Sequence, residues 1–200
     1  MPNNYSKEIR QKVPFATFTN CELLEEAKHI LSKLPKSIKD AQYHQLMEPL
    51  SYLWDRLDSI ERKKLNQLMT AHVSGLHAIR WLPKGKALIE KQKYERTKGG
   101  HGHVYFILLD EDRHKTVSSK CGIYIGQSKY NPQNRYEQHK AGIHSSGKVE
   151  NYGKFLLESI SFTFAPITRK EALRLEAHCY KIICEAKLSN LPTKNIHGGH

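Results

Sequence analysis

Residues 121–139 read CGIYIGQSKYNPQNRYEQH. A short apolar run ends in Tyr124-Ile125-Gly126, and a Pro-containing turn follows it. The segment after the turn carries Arg135 and His139 four residues apart, a spacing that puts both on one face of a helix. The pattern predicts a strand, a tight turn and a helix. A phenol, a guanidinium and an imidazole then meet at the edge of a sheet.

Outward from this stretch the period of the apolar residues is that of short strands. Residues 103–109 (HVYFILL) form a β-rich run, and the polar residues 110–120 read as its connection to the strand at 121–126. Residues 159–166 (SISFTFAP) place Ile160, Phe162 and Phe164 on one face and Ser159, Ser161 and Thr163 on the other, which predicts a half-buried third strand. Thr168-Arg169-Lys170-Glu171 is a capping box that opens a helix running to about Ala186. The tail beyond it reads as an irregular return segment.

Upstream the period is helical. Asn20 is expected to cap a helix with Leu23, Leu24, Ala27, Ile30, Leu31 and Leu34 on one face, stopped by Pro35. A second helical region runs from Leu50 through Met69, continuous or restarted, and Trp81-Leu82-Pro83 marks another break. Residues 84–98 are rich in Lys and Arg and read as a solvated helix or a linker. Gly99-Gly100-His101-Gly102 is too glycine-rich for a helix interior, so the domain boundary is placed there. The expected organisation is a helical N-terminal region, 1–98. An α+β domain follows at 99–200, with a small three-stranded antiparallel sheet flanked by helices.

The chain has 200 residues, 32 of them Lys or Arg against 20 Asp or Glu, for a net charge of +12. That sign favours polyanions, whose counterions are released on binding, although charge alone does not separate a nucleic-acid binder from a soluble basic protein. No segment approaches the roughly 18 apolar residues that span a bilayer, and residues 1–15 have no apolar stretch of the signal-peptide kind. A cytoplasmic location without membrane contact is therefore expected. The four scattered cysteines read as reduced thiols. His101, His103, His197 and His200 lack the partners of a zinc set. No glycine-rich phosphate loop opens a helix.

Glu176 is the residue out of place. Its helical neighbours Ala172, Leu173, Cys179 and Tyr180 belong to the stripe expected to face the sheet. A carboxylate there needs a cation or hydrogen bonds. A salt bridge to a basic side chain meets that need, and so does a divalent cation, since Mg²⁺ takes oxygen ligands and often one or two carboxylates plus phosphate.

Residues 101–200 resemble a GIY-YIG nuclease domain. Tyr124-Ile125-Gly126 matches that family's second motif, and Arg135 and His139 match its Arg-x-x-x-His helix. Glu176 matches its metal-binding glutamate in order and helical setting. The first motif is reduced to Tyr105 in His103-Val104-Tyr105, and the connection from Tyr105 to Tyr124 is long. The family's terminal asparagine corresponds to Asn195, with Asn190 the other candidate. The resemblance implies a metal-dependent endonuclease hydrolysing phosphodiester bonds in nucleic acid, DNA foremost, with the helical region 1–98 supplying substrate binding or specificity. Glu176 would hold Mg²⁺ or another divalent cation such as Mn²⁺, and Arg135 would donate to phosphate oxygens. Tyr105 would act as general base or water positioner, its phenol acidified by nearby cations. Tyr124, His139 and Asn195 would complete the network. A homodimer would serve double-strand cleavage. Two alternatives stand beside it: a non-catalytic nucleic-acid-binding protein that kept the fold, and a nuclease toxin.

Overall fold

The computed structural model describes residues 19–32, 47–72, 79–95, 97, 100–110, 121–164, 167–186 and 196–198. The chain divides into two compact units, residues 1–83 and 84–200. No helix among the described residues is long and apolar enough to cross a membrane.

In the first unit, α1 (Asn20–Ser32), α2 (Met47–Arg56) and α3 (Ser59–His72) follow one another, and α1 packs on both of the others. The cap of α1 is Thr19, one residue before the expected Asn20. Thr19 donates from its N–H and its hydroxyl to the Glu22 carboxylate, at 2.7 and 2.8 Å, and its hydroxyl oxygen accepts from Glu22 N–H at 3.4 Å. A Thr-x-x-Glu box satisfies more orphan donors than a lone Asn does, which sets the register. Ala27 and Leu31 of the predicted face are buried; Leu34 and Pro35 lie outside the described residues. The second helical region restarts at Asp58, whose carboxylate accepts from Ile60 N–H and Glu61 N–H at 2.9 Å each. Pro83 stands inside the first turn of α4 (Leu82–Glu90), where its missing N–H costs nothing. Within α4 Ile89 is buried, and Lys86 is buried and paired with Glu90, so the segment is not simply solvated.

The second unit is built on a sheet of order β3-β1-β2-β4. Strands β1 (His103–Asp110) and β2 (Cys121–Ser128) pair antiparallel, with Tyr105 opposite Gly126 and Ile107 opposite Tyr124. Between β2 and the third strand lie α5 (Pro132–Lys140) and α6 (Gly147–Tyr152), and β3 (Gly153–Leu156) then pairs antiparallel with β1. A short helical turn α7 (Glu158–Ser161) and the long α8 (Arg169–Glu185) lead to β4 (Ile196–Gly198), which pairs parallel to β2. The architecture is α+β with three antiparallel strands, as expected, and a short parallel strand added at one edge. That added strand corrects the reading of the tail as irregular.

The identity of the third strand also differs from expectation. Residues 159–164 do not form it, and 165–166 lie outside the described residues; β3 is the run 153–156, and α7 takes over at Glu158. Alternation misled because both sets of residues are buried: Ser159 and Ser161 as well as Ile160 and Phe164. The serine has backbone work to do. Beyond the end of β3, Leu157 N–H donates to Phe106 C=O at 2.8 Å. The Ser161 hydroxyl accepts from Phe106 N–H at 2.9 Å and donates to Phe106 C=O at 3.2 Å. One side chain thus closes the β1 edge that the short β3 leaves open, since buried backbone groups must be paired.

β1 is buried from Val104 through Leu109, on both faces, which is why it reads as a continuous apolar run. One face carries Tyr105, Ile107 and Leu109 into a cluster with Val149 and Leu156. α8 packs on β1, β2 and β4, while α5 and α6 pack on β1 and β3. The N-cap half of the capping box of α8 forms at Thr168 as expected, its hydroxyl accepting from Glu171 N–H at 3.1 Å, but the return bond from the glutamate does not. The Glu171 carboxylate turns elsewhere, to Arg174 and to Glu95 N–H. Gly102, from the glycine run, bridges Ile167, and a Cβ there would lie 2.7 Å from the Ile167 carbonyl oxygen. That close approach is the local reason for a glycine.

Ser161→Ala removes the group that closes the ladder at Phe106. It is expected to lower stability by about 1–3 kcal/mol, the cost of stranding buried backbone polar groups. Urea denaturation measures this, and an unchanged midpoint would count against the role.

Candidate active site

The site begins with β2 and the turn after it. Asn131 caps α5, its side-chain oxygen accepting from Gln133 N–H, and Pro132 fills the first helical position. α5 is then tied to the sheet. β3 skips Lys154 in its pairing with β1, a bulge between Leu108 and Leu109, so the Lys154 carbonyl is out of register. The Tyr136 hydroxyl donates to that carbonyl at 2.7 Å, and Lys140 Nζ donates to Gly153 C=O at 3.0 Å. Burial pushes the Tyr136 phenol up to about 12, so it stays a donor.

At its other end α5 finishes in a Schellman turn. Gly142 takes φ 73°, Ile143 N–H donates to Gln138 C=O at 2.9 Å, and Gly142 N–H donates to His139 C=O at 3.1 Å. His144 follows in the left-handed region at φ 45°, an uncommon place for a residue with a Cβ. The turn directs two carbonyls back at the helix. Arg135 donates from Nη1 to Ile143 C=O at 3.2 Å and to Gln138 Oε1 at 3.1 Å, and from Nη2 to His144 C=O at 2.7 Å. Of the five donors of a guanidinium, these contacts occupy three and hold the plane in place. Gln138 and the carbonyls of 143 and 144 did not stand out in the sequence. The glycine two residues beyond Lys140 is the signal that announces the turn.

Four of the predicted residues come together over this frame. The Tyr105 hydroxyl and His139 Nε2 are 2.8 Å apart. The rings of Tyr105 and Tyr124 lie 6.2 Å apart between centroids, and each lies 5.8 Å from the His139 ring. Arg135 is near enough to both phenols to draw their pKa values down. The cluster fits only because residue 126 is glycine: a Cβ there would stand 2.6 Å from the Tyr105 hydroxyl and 2.8 Å from Tyr124 Cε1.

Ser146 N–H donates to His139 Nδ1 at 3.2 Å. Nδ1 therefore carries no hydrogen, the neutral ring is protonated at Nε2, and Nε2–H donates to the Tyr105 oxygen. The Tyr105 hydrogen is left for the Tyr124 oxygen, a hydrogen bond that raises Tyr105 and lowers Tyr124. Burial first, and then Arg135, push the imidazole down to about 4, so His139 is neutral at physiological pH. The phenols move the other way. Burial, then Tyr124, hold Tyr105 well above the ordinary phenol range despite Arg135. Burial, then Glu176, raise Tyr124. Against the guanidinium alone, desolvation and Tyr124 keep Tyr105 raised; the acidification that the resemblance implies calls on a metal cation besides.

Glu176 is 9% exposed, and its charge acts on the Tyr124 hydroxyl. The stripe around it needs correction. α8 buries Ala172, Leu175, Glu176, Cys179 and Ile183, whereas Leu173 is 42% exposed and Tyr180 is partly so. At about 100° per residue the buried face centres between Leu175 and Glu176. Glu176 therefore lies toward the rim of that face, on the side of Leu173 and Tyr180. A carboxylate at a rim meets the sheet and the site edge at once. Asn190 and Asn195 lie outside the described residues. Cys21, Cys179 and Cys184 are free thiols, and burial pushes Cys179 up to about 12, which makes it inert packing.

Among the described residues no group of three or more His, Cys, Asp or Glu converges to hold a metal ion. Glu176 alone fits a hard cation of the kind that takes one protein carboxylate and fills its other positions with water and phosphate oxygens. Comparison with family models, characterised proteins and solved structures finds no match to this chain.

Two tests address this geometry. Gly126→Ala drives a methyl into the Tyr105 hydroxyl. A loss of about 1–3 kcal/mol is expected, the usual cost of overpacking, read by thermal denaturation. His139 predicts a pH dependence whose sign follows from linkage. Its folded pKa, about 4, lies below the ordinary value near 6.5. Between these values the unfolded chain binds the extra proton, so the His139 contribution is complete above about 6.5 and is lost as pH falls through about 4. The melting temperature of the wild type should fall more steeply over this window than that of His139→Gln. Parallel profiles would count against a buried neutral imidazole.

Proposed function

We propose that this protein is a divalent-metal-dependent endonuclease that hydrolyses phosphodiester bonds, with DNA as its substrate. The observation that carries the reading is the convergence of Tyr105, Tyr124, Arg135 and His139 at one end of β1 and β2, with the Glu176 charge acting on Tyr124. The motif resemblance in 101–200 supports it, because the clustered side chains are the ones its motifs mark.

Phosphodiester hydrolysis adds water to phosphorus, breaks the bond to one ester oxygen, and piles negative charge on the non-bridging oxygens on the way. Arg135 meets that charge: its cradle of carbonyls and its hydrogen bond to Tyr105 orient the guanidinium, whose remaining donor capacity would meet phosphate. The Tyr105 oxygen already accepts from His139 Nε2–H and its own O–H donates to Tyr124, so the two phenols form one linked network that orients the attacking water. In the protein alone burial raises Tyr105, which favours water positioning over the general-base role that the resemblance also offers. Tyr124 stands between this phenol and Glu176 and orders the same network. Glu176 would hold Mg²⁺ or Mn²⁺, and the bound cation would supply Lewis-acid polarisation of the phosphate and help to the departing oxygen. Asn195 stays a candidate supporting hydrogen-bonder.

The test is nicking of supercoiled plasmid by the purified protein, with and without Mg²⁺. Wild type is expected to nick only with the divalent cation. Arg135→Ala and Glu176→Ala should each lose about 10³-fold in rate, in the range set by removing one group that stabilises transition-state charge, with the circular dichroism spectrum of a folded protein retained. Wild-type rates in Glu176→Ala would remove the metal assignment. Binding without cutting under any divalent cation would leave the non-catalytic nucleic-acid binder in its place.

A further inference from the structure

We propose that the nucleic acid continues past the scissile phosphate along a cationic track from Arg135 to Arg169. The substrate is then a polynucleotide, held by the phosphates that flank the cut. The inference rests on the phosphodiester reading above and extends it to ground outside the reactive cluster.

Two hollows adjoin beyond the end of β2. The larger, about 440 Å³, is lined by Arg135, His144, Lys129 and Arg169 among others. The second, about 320 Å³, shares Gln127, Ser128, Lys129 and Arg169 with the first and reaches His101 and the glycine run. No Asp or Glu lines either one among the described residues. Arg135 belongs both to the first hollow and to the field of the tyrosine cluster, so the track begins at the reactive groups and leads away from them.

The two cations along the track have no evident structural task. Among the described residues neither Lys129 nor Arg169 is paired with a carboxylate. Arg169 is the first residue of α8, where a cation opposes the helix dipole at a cost of about 0.3–1 kcal/mol. A basic side chain kept at that end raises the positive potential of the hollow and does nothing for the helix. Lys129 stands over the ring of Tyr130 with its nitrogen 5.2 Å from the centroid, and Tyr130 is 43% exposed. Cations beside an exposed aromatic ring suit a backbone whose bases lie within reach of stacking. A mononucleotide seated at Arg135 would leave this ground uncovered; a longer strand covers it.

The experiment is fluorescence anisotropy with a labelled 20-base-pair DNA duplex and the corresponding single strand, in EDTA, across a salt series. Wild type, Lys129→Ala/Arg169→Ala and the control Lys181→Ala are compared. Lys181 is an exposed α8 lysine paired only with Glu185. The double variant should bind about tenfold more weakly near 0.15 M salt. The slope of log K against log salt should fall by about 1 for each lost phosphate contact, while the control keeps the wild-type slope. A double variant with the wild-type slope and affinity, or a wild type that binds neither DNA, overturns the track. Because EDTA removes divalent cations, the result is independent of cutting. A reduced slope in a protein that never nicks plasmid keeps the track and removes the hydrolysis. Nicking with an unchanged slope does the reverse.

Discussion

The hydrogen bond between the Tyr105 hydroxyl and His139 Nε2 joins the middle of the sheet to the helix α5, and much of the second unit answers to it. It ties β1, through a residue only 1% exposed, to the last turn of α5. For the two groups to meet, the strand opposite Tyr105 has to offer bare backbone, and the register puts Gly126 there. For His139 to be the donor, Nδ1 has to be held by another hydrogen, and Ser146 N–H supplies it from the start of α6. A single contact thus sets constraints on β2, α5 and α6 together. It also leaves the phenol hydrogen directed away from the histidine, toward Tyr124, which joins the two phenols in one network.

The same economy governs Arg135. A long cationic side chain has many rotamers, and an unrestrained guanidinium would lose entropy each time it met a phosphate. Here the Schellman turn at Gly142 and the strained His144 aim carbonyls at it, so the restriction is made on folding. Tyr136 and Lys140, on the same helix, lock α5 to the β3 bulge. The apolar packing of β1 and the polar ties of α5 therefore serve one outcome, a guanidinium, an imidazole and two phenols within a few ångströms. The electrostatics follow from that crowding: a neutral imidazole, reluctant phenols and a carboxylate at the rim.

Several features were legible from local chemistry. The N-cap at Thr168, the spacing of Arg135 and His139, and the two apolar runs at 103 and 121 each carry their signal within a few residues, and each stands where expected. The misreadings share a physical origin. SISFTFAP alternates as a strand does, yet Ser159 and Ser161 are buried because the partner of Ser161 is backbone of β1, fifty-five residues away in sequence. GKFL is too short to stand out, and it becomes a strand because β1 offers it an edge. Leu173 was counted with the buried stripe because spacing alone does not say where a helical face is centred; the sheet that α8 meets decides that.

From its own order, the chain determined which residue types could share a helix face or a turn, because caps, periodicity and glycine placement act over a handful of bonds. It also marked Tyr105, Tyr124, Arg135, His139 and Glu176 as a set worth bringing together. Only the tertiary structure decided how they meet: the tautomer of His139, the cradle of Arg135, the raised phenols, and the place of Glu176 toward the rim of its face. These depend on desolvation and on hydrogen bonds between segments distant in sequence, and such terms come into being when the chain closes on itself.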